Sequence, residues 1–307
     1  MSDFVIVNEV GPRDGLQSQG KTLSVDERLR LIEALLNSGI RHIEVGSFVS
    51  PKAVPQMAGT GELFAGLALR NEANYSALVP NLRGYELARE AGARSIAVVL
   101  SATETMNQRN INMSLEQTTS VCAQLMQRAR EDGIDARAYV AVAFECPFEG
   151  LTPPEVVEAL ARRMFEAGAG KVIVADTIGA ANPQSVKRVL ERLTGVDAAS
   201  MLSCHFHDTR GMALANVLAA LEFGVREFDS SIGGLGGCPF SPGATGNLAT
   251  EDLVLMLQSM GLHTGIDLDR LVAAVEQAQL LTSTTLGGHS YRWLHRERNK
   301  RQEVANG

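Results

Sequence analysis

Short apolar runs and longer amphipathic stretches alternate along most of the chain. Eight runs rich in Val, Ile, Ala or Phe, each bounded by turn residues, predict strands at 4–10, 42–47, 74–79, 95–101, 136–144, 171–176, 201–207 and 227–232. The stretches between them carry helical periodicity. In 26–38 the apolar Leu29, Ile32, Leu35 and Leu36 recur at helical spacing. The stretch 114–132 opens with Ser114-Leu-Glu-Gln117, a pattern in which serine and glutamine satisfy free backbone groups at a helix start. Gly39, Gly92, Gly133, Gly168 and Gly224 each follow a helical stretch, where a left-handed turn favours glycine. Eight such alternations predict an α/β fold, the closed (β/α)8 TIM barrel, with an open doubly wound sheet as the alternative. The expected division is a barrel with additional C-terminal helices over 1–285 and a polar tail over 286–307.

Composition narrows the function classes. Of 307 residues, 45% are hydrophobic and 21% charged, enough apolar material for a sizeable core. A formal charge of −7 argues against a sequence-independent nucleic-acid binder, which needs a basic face. No apolar run approaches the roughly 18–20 residues of a membrane span. The opening Met-Ser-Asp-Phe-Val-Ile has no basic leader before an apolar stretch, so no secretory signal is expected. Four cysteines in so long a chain make no disulfide framework, and a reducing, cytoplasmic setting fits.

In the barrel reading, active groups sit where strands end and βα loops begin. Arg13-Asp14, Glu44, Asp176, His205 and His207 all fall at such ends. His205 and His207, two apart at the end of a strand, point the same way. With Asp14 they offer two nitrogens and one oxygen to a divalent cation, leaving positions open for substrate and water. The bland alternative for the pair is two satisfied or surface histidines. Ligand type leaves zinc, iron, manganese and magnesium open. A fixed Arg13 guanidinium suits a carboxylate or a developing enolate oxygen, against the alternative of a weak surface ion pair. Glu44 can orient Arg13, or be a structural carboxylate. Cys238, in Gly234-Leu-Gly-Gly-Cys-Pro239, is either a proton donor on a mobile loop or a small apolar residue. Asn247 reads on its own as a helix cap before Leu248-Ala-Thr-Glu251.

Several of these segments together resemble the hydroxymethylglutaryl-CoA lyase family of metal-dependent acyl-CoA lyases. The matching text is Glu9-Val-Gly-Pro-Arg-Asp-Gly-Leu-Gln17, Ser47-Phe-Val-Ser-Pro51 with Val54-Pro-Gln-Met57, and Asn110-Ile-Asn112. It continues through Asp176-Thr-Ile-Gly179, His205-Phe-His-Asp-Thr209 and Asp229-Ser-Ser231 to the glycine-rich block 234–239 and Gly246-Asn247 through Asp252. The resemblance implies a barrel holding Mg2+ or Mn2+ through Asp14, His205, His207 and Asn247. It implies Arg13 near the thioester oxygen, Cys238 on a closing loop, and Gln17, Ser47, Asn110, Asp176 and Thr177 as further substrate-binding positions. The implied reaction splits a 3-hydroxy-3-methylglutaryl thioester into acetyl-CoA and acetoacetate, with His205 or Asp14 as the base. An acyl-CoA is the expected partner, with no nucleic acid or membrane, and a homo-oligomer is an open possibility.

Departures from the family pattern cluster in the loops. Phe144-Glu145 stand before Cys146-Pro147 where the pattern has Leu-Gly, Val174-Ala175 precede Asp176, and Arg210 replaces a tyrosine. Glu145 and Arg210 either shift the preference toward a second carboxylate or a longer branch, or are surface changes without effect. The competing readings are a lyase for citramalyl-CoA or a longer-chain 3-hydroxyglutaryl-CoA, a two-histidine, one-carboxylate iron oxygenase, and a catalytically silent acyl-CoA-binding protein.

Overall fold

The computed structural model describes residues 3–195, 198–237 and 246–306. Eight parallel strands close into a barrel: β1 (Ile6–Glu9), β2 (His42–Ser47), β3 (Asn74–Leu78), β4 (Ser95–Ser101), β5 (Asp135–Ala141), β8 (Lys171–Asp176), β9 (Leu202–Phe206) and β10 (Glu227–Ser230). A two-stranded hairpin, β6 (Glu145–Cys146) and β7 (Gly150–Leu151), rises from the loop after β5. The helices are α1 (Val25–Asn37), α2 (Thr60–Leu67), α3 (Leu82–Glu90), α4 (Glu104–Ile111), α5 (Leu115–Asp132), α6 (Pro154–Ala167), α7 (Pro183–Leu193), α8 (Ala213–Glu222), α9 (Thr250–Ser259), α10 (Leu268–Thr282) and α11 (Tyr291–Asn306).

Each barrel strand pairs with its neighbours in chain order, and β1 closes the ring on β10 through Asn8↔Asp229 and Glu9↔Ser230. Strand alternation then sorts the side chains. Ile96, Val98, Val140, Val172, Val174 and Phe228 face outward into one core with the helices, which includes Leu31, Ile32 and Leu35 of α1. Ala97, Tyr139, Ile173 and Ala175 form a smaller cluster inside the barrel. All eight predicted strands coincide with barrel strands, and the five glycines noted above carry positive φ, from 69° at Gly133 to 106° at Gly168.

One predicted strand runs too long. The chain leaves β5 at Val142, whose φ of 50° is unusual for a β-branched residue. Thr177 Oγ1 accepts the Val142 N–H at 2.8 Å, and the Val142 carbonyl accepts the Thr152 hydroxyl at 2.7 Å, so both backbone groups are held in that turn. Val142, Ala143 and Phe144 stay buried after the turn, so hydrophobicity alone does not mark the strand end. β2 carries a bulge between Glu44 and Gly46. A Cβ at Gly46 would meet Arg28 Nη2 and Thr60 Oγ1 at 2.7 Å, so this approach requires glycine.

The tail 286–307 is helical over most of its length. α11 packs on α10, and Arg298 and Arg301 pair with Glu276 and Asp269 of that helix. The predicted capping box of α5 is present: Ser114 Oγ accepts the Gln117 amide at 3.1 Å, and Gln117 Oε1 accepts the Ser114 amide at 2.9 Å. Ser114→Ala is expected to cost about 1 kcal/mol of stability, read as a lower urea midpoint at unchanged slope.

Candidate active site and metal centre

The first functional side chains sit on a single π-helical turn, Gly11–Gly15, directly after β1. The Val10 carbonyl accepts the amides of Arg13 (3.1 Å), Asp14 (2.8 Å) and Gly15 (3.3 Å). Pro12, which has no N–H to satisfy, sits at the start of the turn. Such turns recur at functional sites because they displace side chains from regular helical positions. Here the turn buries Arg13. Arg13 Nε donates to Glu44 Oε1, and Nη1 donates to Asp14 Oδ1 at 2.6 Å. Glu44 therefore does orient Arg13.

His205 and His207 lie on one side of the ninth strand and its extension, with ring centroids 5.0 Å apart. The carbonyl of Asp176 accepts a hydrogen bond from His207 Nδ1 at 2.9 Å. A carbonyl only accepts, so that proton sits on Nδ1 and the Nε2 electron pair is free. Asp229 Oδ2 lies 3.0 Å from His205 Nδ1 and holds the second ring in the same way. One carboxylate oxygen of Asp14 and one nitrogen of each histidine lie within 4.8 Å of one another, a possible metal site. Asn247 joins this cluster across an isolated bridge to His207. Its Nδ2 donates to Asp14 Oδ2 at 2.8 Å and to the Leu235 carbonyl at 3.2 Å. Its Oδ1 is buried with no hydrogen-bond partner among the described residues. An orphaned buried acceptor beside a carboxylate and two free imidazole nitrogens fits a cation with mixed oxygen and nitrogen ligands.

Electrostatics agree. Burial pushes the Asp14 carboxyl up, but Arg13, His205 and His207 outweigh it and hold the group at about 2. Burial, reinforced by His205, pushes His207 down to about 4, so its ring is neutral at pH 7. Burial also lowers His205, but the hydrogen bond and charge of Asp229 lift it above its ordinary value. Asp14 and Glu44 share the single guanidinium of Arg13 while Asp229 pairs with His205, an excess of negative charge that suits a bound cation.

The other predicted positions scatter around this cluster. Gln17 Nε2 donates to Asp14 Oδ1 at 3.1 Å. Ser47 is buried and donates to the Leu78 carbonyl at 3.2 Å. Asp176 gives its carbonyl to His207, while its carboxylate accepts the Ala180 and Ala181 amides at 2.8 and 3.1 Å and shapes the loop after β8. Burial raises that carboxyl to about 6. Thr177 pins the turn at Val142. Asn110 is exposed on α4, and among the described residues no hydrogen bond joins it to the cluster. Cys238 lies outside the described residues. Glu145 and Arg210 approach each other at 3.3 Å, tying the hairpin to the loop after β9.

Sequence reasoning gave no role to Tyr139, to Asn8 or to Asp229, although Asp229 lies in a segment that matches the family. Asp229 accepts from Asn8 Nδ2 (2.8 Å) and Tyr139 (2.7 Å) as well as from His205. The available signal was strand phase: each is a polar residue at an inward position of a barrel strand, and Asp229 is in register with His205 and Asn8 with Asp229.

A closed parallel barrel with an Asp-His-His cluster where its strands end defines a TIM-barrel protein with a candidate divalent-metal centre. Comparison with known proteins makes this specific: the model of the HMGL-like family matches residues 5–277, and the chain belongs to that family. It is 47% identical over 283 residues to hydroxymethylglutaryl-CoA lyase of Pseudomonas mevalonii, an alignment covering 92% of this chain and 93% of that one. It is 43% identical to a Pseudomonas aeruginosa protein named 3-hydroxy-3-isohexenylglutaryl-CoA/hydroxy-methylglutaryl-CoA lyase, covering 87% and 89%. The crystal structure of hydroxymethylglutaryl-CoA lyase from P. aeruginosa superposes with a TM-score of 0.93 at 40% identity, covering 97% of this chain and 99% of that one.

The proton inventory predicts how Mn2+ binding responds to pH. His207 is neutral above about 4 and Asp14 is ionised above about 2, so His205 is the ligand left to deprotonate. Affinity should fall as pH drops below His205's raised pKa, with about one proton displaced per ion down to about pH 5. Calorimetry in buffers of different ionisation enthalpy counts that proton; two displaced protons would contradict the depressed His207.

Proposed function

We propose that this chain cleaves 3-hydroxy-3-methylglutaryl-CoA into acetyl-CoA and acetoacetate, with Mg2+ or Mn2+ held by Asp14, His205, His207 and Asn247. The observation that carries the reading is the buried Arg13 guanidinium set against Asp14 of the Asp-His-His cluster. When bound, the cation supplies a Lewis acid that lowers the cost of ionising the substrate's tertiary hydroxyl. Loss of that proton lets a ketone form while the neighbouring carbon–carbon bond breaks, and the departing fragment is a thioester enolate. Arg13, fixed by Glu44, is placed to stabilise the enolate oxygen. Of the two proposed bases, Asp14 is held at about 2 and is a weak proton acceptor, while His205, raised by Asp229 at Nδ1, accepts at Nε2 only when that nitrogen is off the cation. Gln17 orients Asp14, and Ser47, Asn110, Asp176 and Thr177 are the further substrate-binding positions proposed. Cys238 is the proposed acid for the enolate carbon. The buried free thiols of Cys122, Cys146 and Cys204 support a reducing setting such as the cytoplasm. Among the described residues no helix is long and apolar enough to cross a membrane.

A second reading extends the acyl range to longer 3-alkyl branches, as the name of the P. aeruginosa relative suggests. The exposed Arg210–Glu145 pair, at the same end of the barrel, supports it as a place where acyl preference is adjusted.

Purified protein should release acetyl-CoA and acetoacetate in equal amounts, lose activity to a chelator and regain it with Mg2+ or Mn2+. Arg13→Lys should lower kcat by about 10²–10³-fold, the loss of one preorganised enolate contact. Folded, metal-loaded protein that cleaves only longer-branched homologues would replace the first reading by the second.

A further inference from the structure

Tyr139 lies at the middle of a run of polar contacts that joins the two halves of the site. Its hydroxyl is 2.7 Å from Asp229 Oδ2 and 3.2 Å from Glu44 Oε2. Glu44 holds Arg13, which holds Asp14; Asp229 holds His205. Asp14 and His205 are in turn two members of the candidate metal cluster, so the contacts form a ring that a cation would close. The aromatic ring has the same two neighbours as the hydroxyl chain. Arg13 Cζ lies 5.8 Å from its centroid, and the His205 imidazole meets it edge-on at 5.9 Å and 84°. Tyr139 is 5%, Glu44 1% and Asp229 2% exposed, so water does not substitute for the phenol.

A tyrosine that only filled the barrel would need apolar neighbours, and Ala97, Ile173 and Ala175 already supply them. The hydroxyl adds something else: one proton between two buried carboxylates that would otherwise repel each other with no donor between them. We infer that Tyr139 and Asp229 form a positioning pair, which fixes the His205 ring for the cation and couples it through Glu44 to Arg13. Neither residue is a metal ligand. Asp229 holds the Nδ1 proton and leaves Nε2 for the metal; Tyr139 holds Asp229 in place and ties that carboxylate to the arginine side. Loss of an outer partner of this kind costs about 10–100-fold in metal affinity.

The inference rests on the metal-site reading, and Mn2+ alone tests both. Chelator-stripped wild type, Tyr139→Phe, Asp229→Asn and the double variant are titrated with Mn2+, with free ion followed by electron paramagnetic resonance and folding by circular dichroism. Tyr139→Phe keeps the ring and should bind Mn2+ about 10-fold more weakly, Asp229→Asn about 10–100-fold more weakly. Because the phenol acts through Asp229, the double variant should match Asp229→Asn. Wild-type affinity in folded Tyr139→Phe, or a double-variant loss equal to the product of the single losses, overturns the inference. Should Tyr139→Phe fail to fold, Asp229→Asn decides alone: unchanged affinity there overturns it. Wild type that binds no Mn2+ overturns the metal reading, and the inference with it, which is distinct from a wild type that binds while the variants bind equally well.

Discussion

Closure of the sheet between its first and last strands is the constraint on which the site depends. Asn8 and Asp229 are separated by 221 positions, yet they are register partners and share a 2.8 Å hydrogen bond inside the barrel. The same closure carries the turn after β1 to the segment after β10, so that Asp14 meets Asn247. A parallel sheet of eight strands has no free edge once closed, and every strand end on one rim faces a common centre. Residues from opposite ends of the chain become neighbours through backbone pairing, before any side chain contributes.

That rim carries a concentration of charge that a folded protein tolerates only when each group is paired. Arg13 is shared between Asp14 and Glu44, Tyr139 between Glu44 and Asp229, and Asp229 between Asn8, Tyr139 and His205. The surplus is negative, and the orphaned acceptor at Asn247 lies beside it. A divalent cation there would offset the surplus and use the acceptor. The loops around the rim are held separately: Asp176 and Thr177 spend their side chains on backbone amides. Gly246 allows a close approach beside Asn247, where a Cβ would lie 2.2 Å from the Gly234 carbonyl.

Much of the site could be read from spacing. Arg13-Asp14, Glu44, His205 and His207 were marked by falling at strand ends, and the structure brings all five together. Asp176 was marked by the same rule, yet its carboxylate is taken up by the Ala180 and Ala181 amides and only its carbonyl touches the cluster, at His207. Tyr139 was passed over because it sits in an apolar run, and Asp229, though part of a matching segment, was given no role because it sits in a short polar ending. Neither residue type declares a role until its neighbours are known. The strand predicted over 136–144 overran because burial continues through the turn at Val142.

By itself the sequence determined the alternation of eight barrel strands with helices, several helix starts and stops, and the family, because periodicity, capping and contiguous motifs are local properties. It also marked which residues carry chemistry. Only the tertiary structure decided which of them meet, since pairing across a closed barrel joins residues hundreds of positions apart and strand phase sets the direction of each side chain. The tautomers of His205 and His207, the depressed carboxyl of Asp14 and the bridge through Tyr139 all follow from that geometry. They depend on burial and on hydrogen-bond partners, and neither is a property of a residue alone.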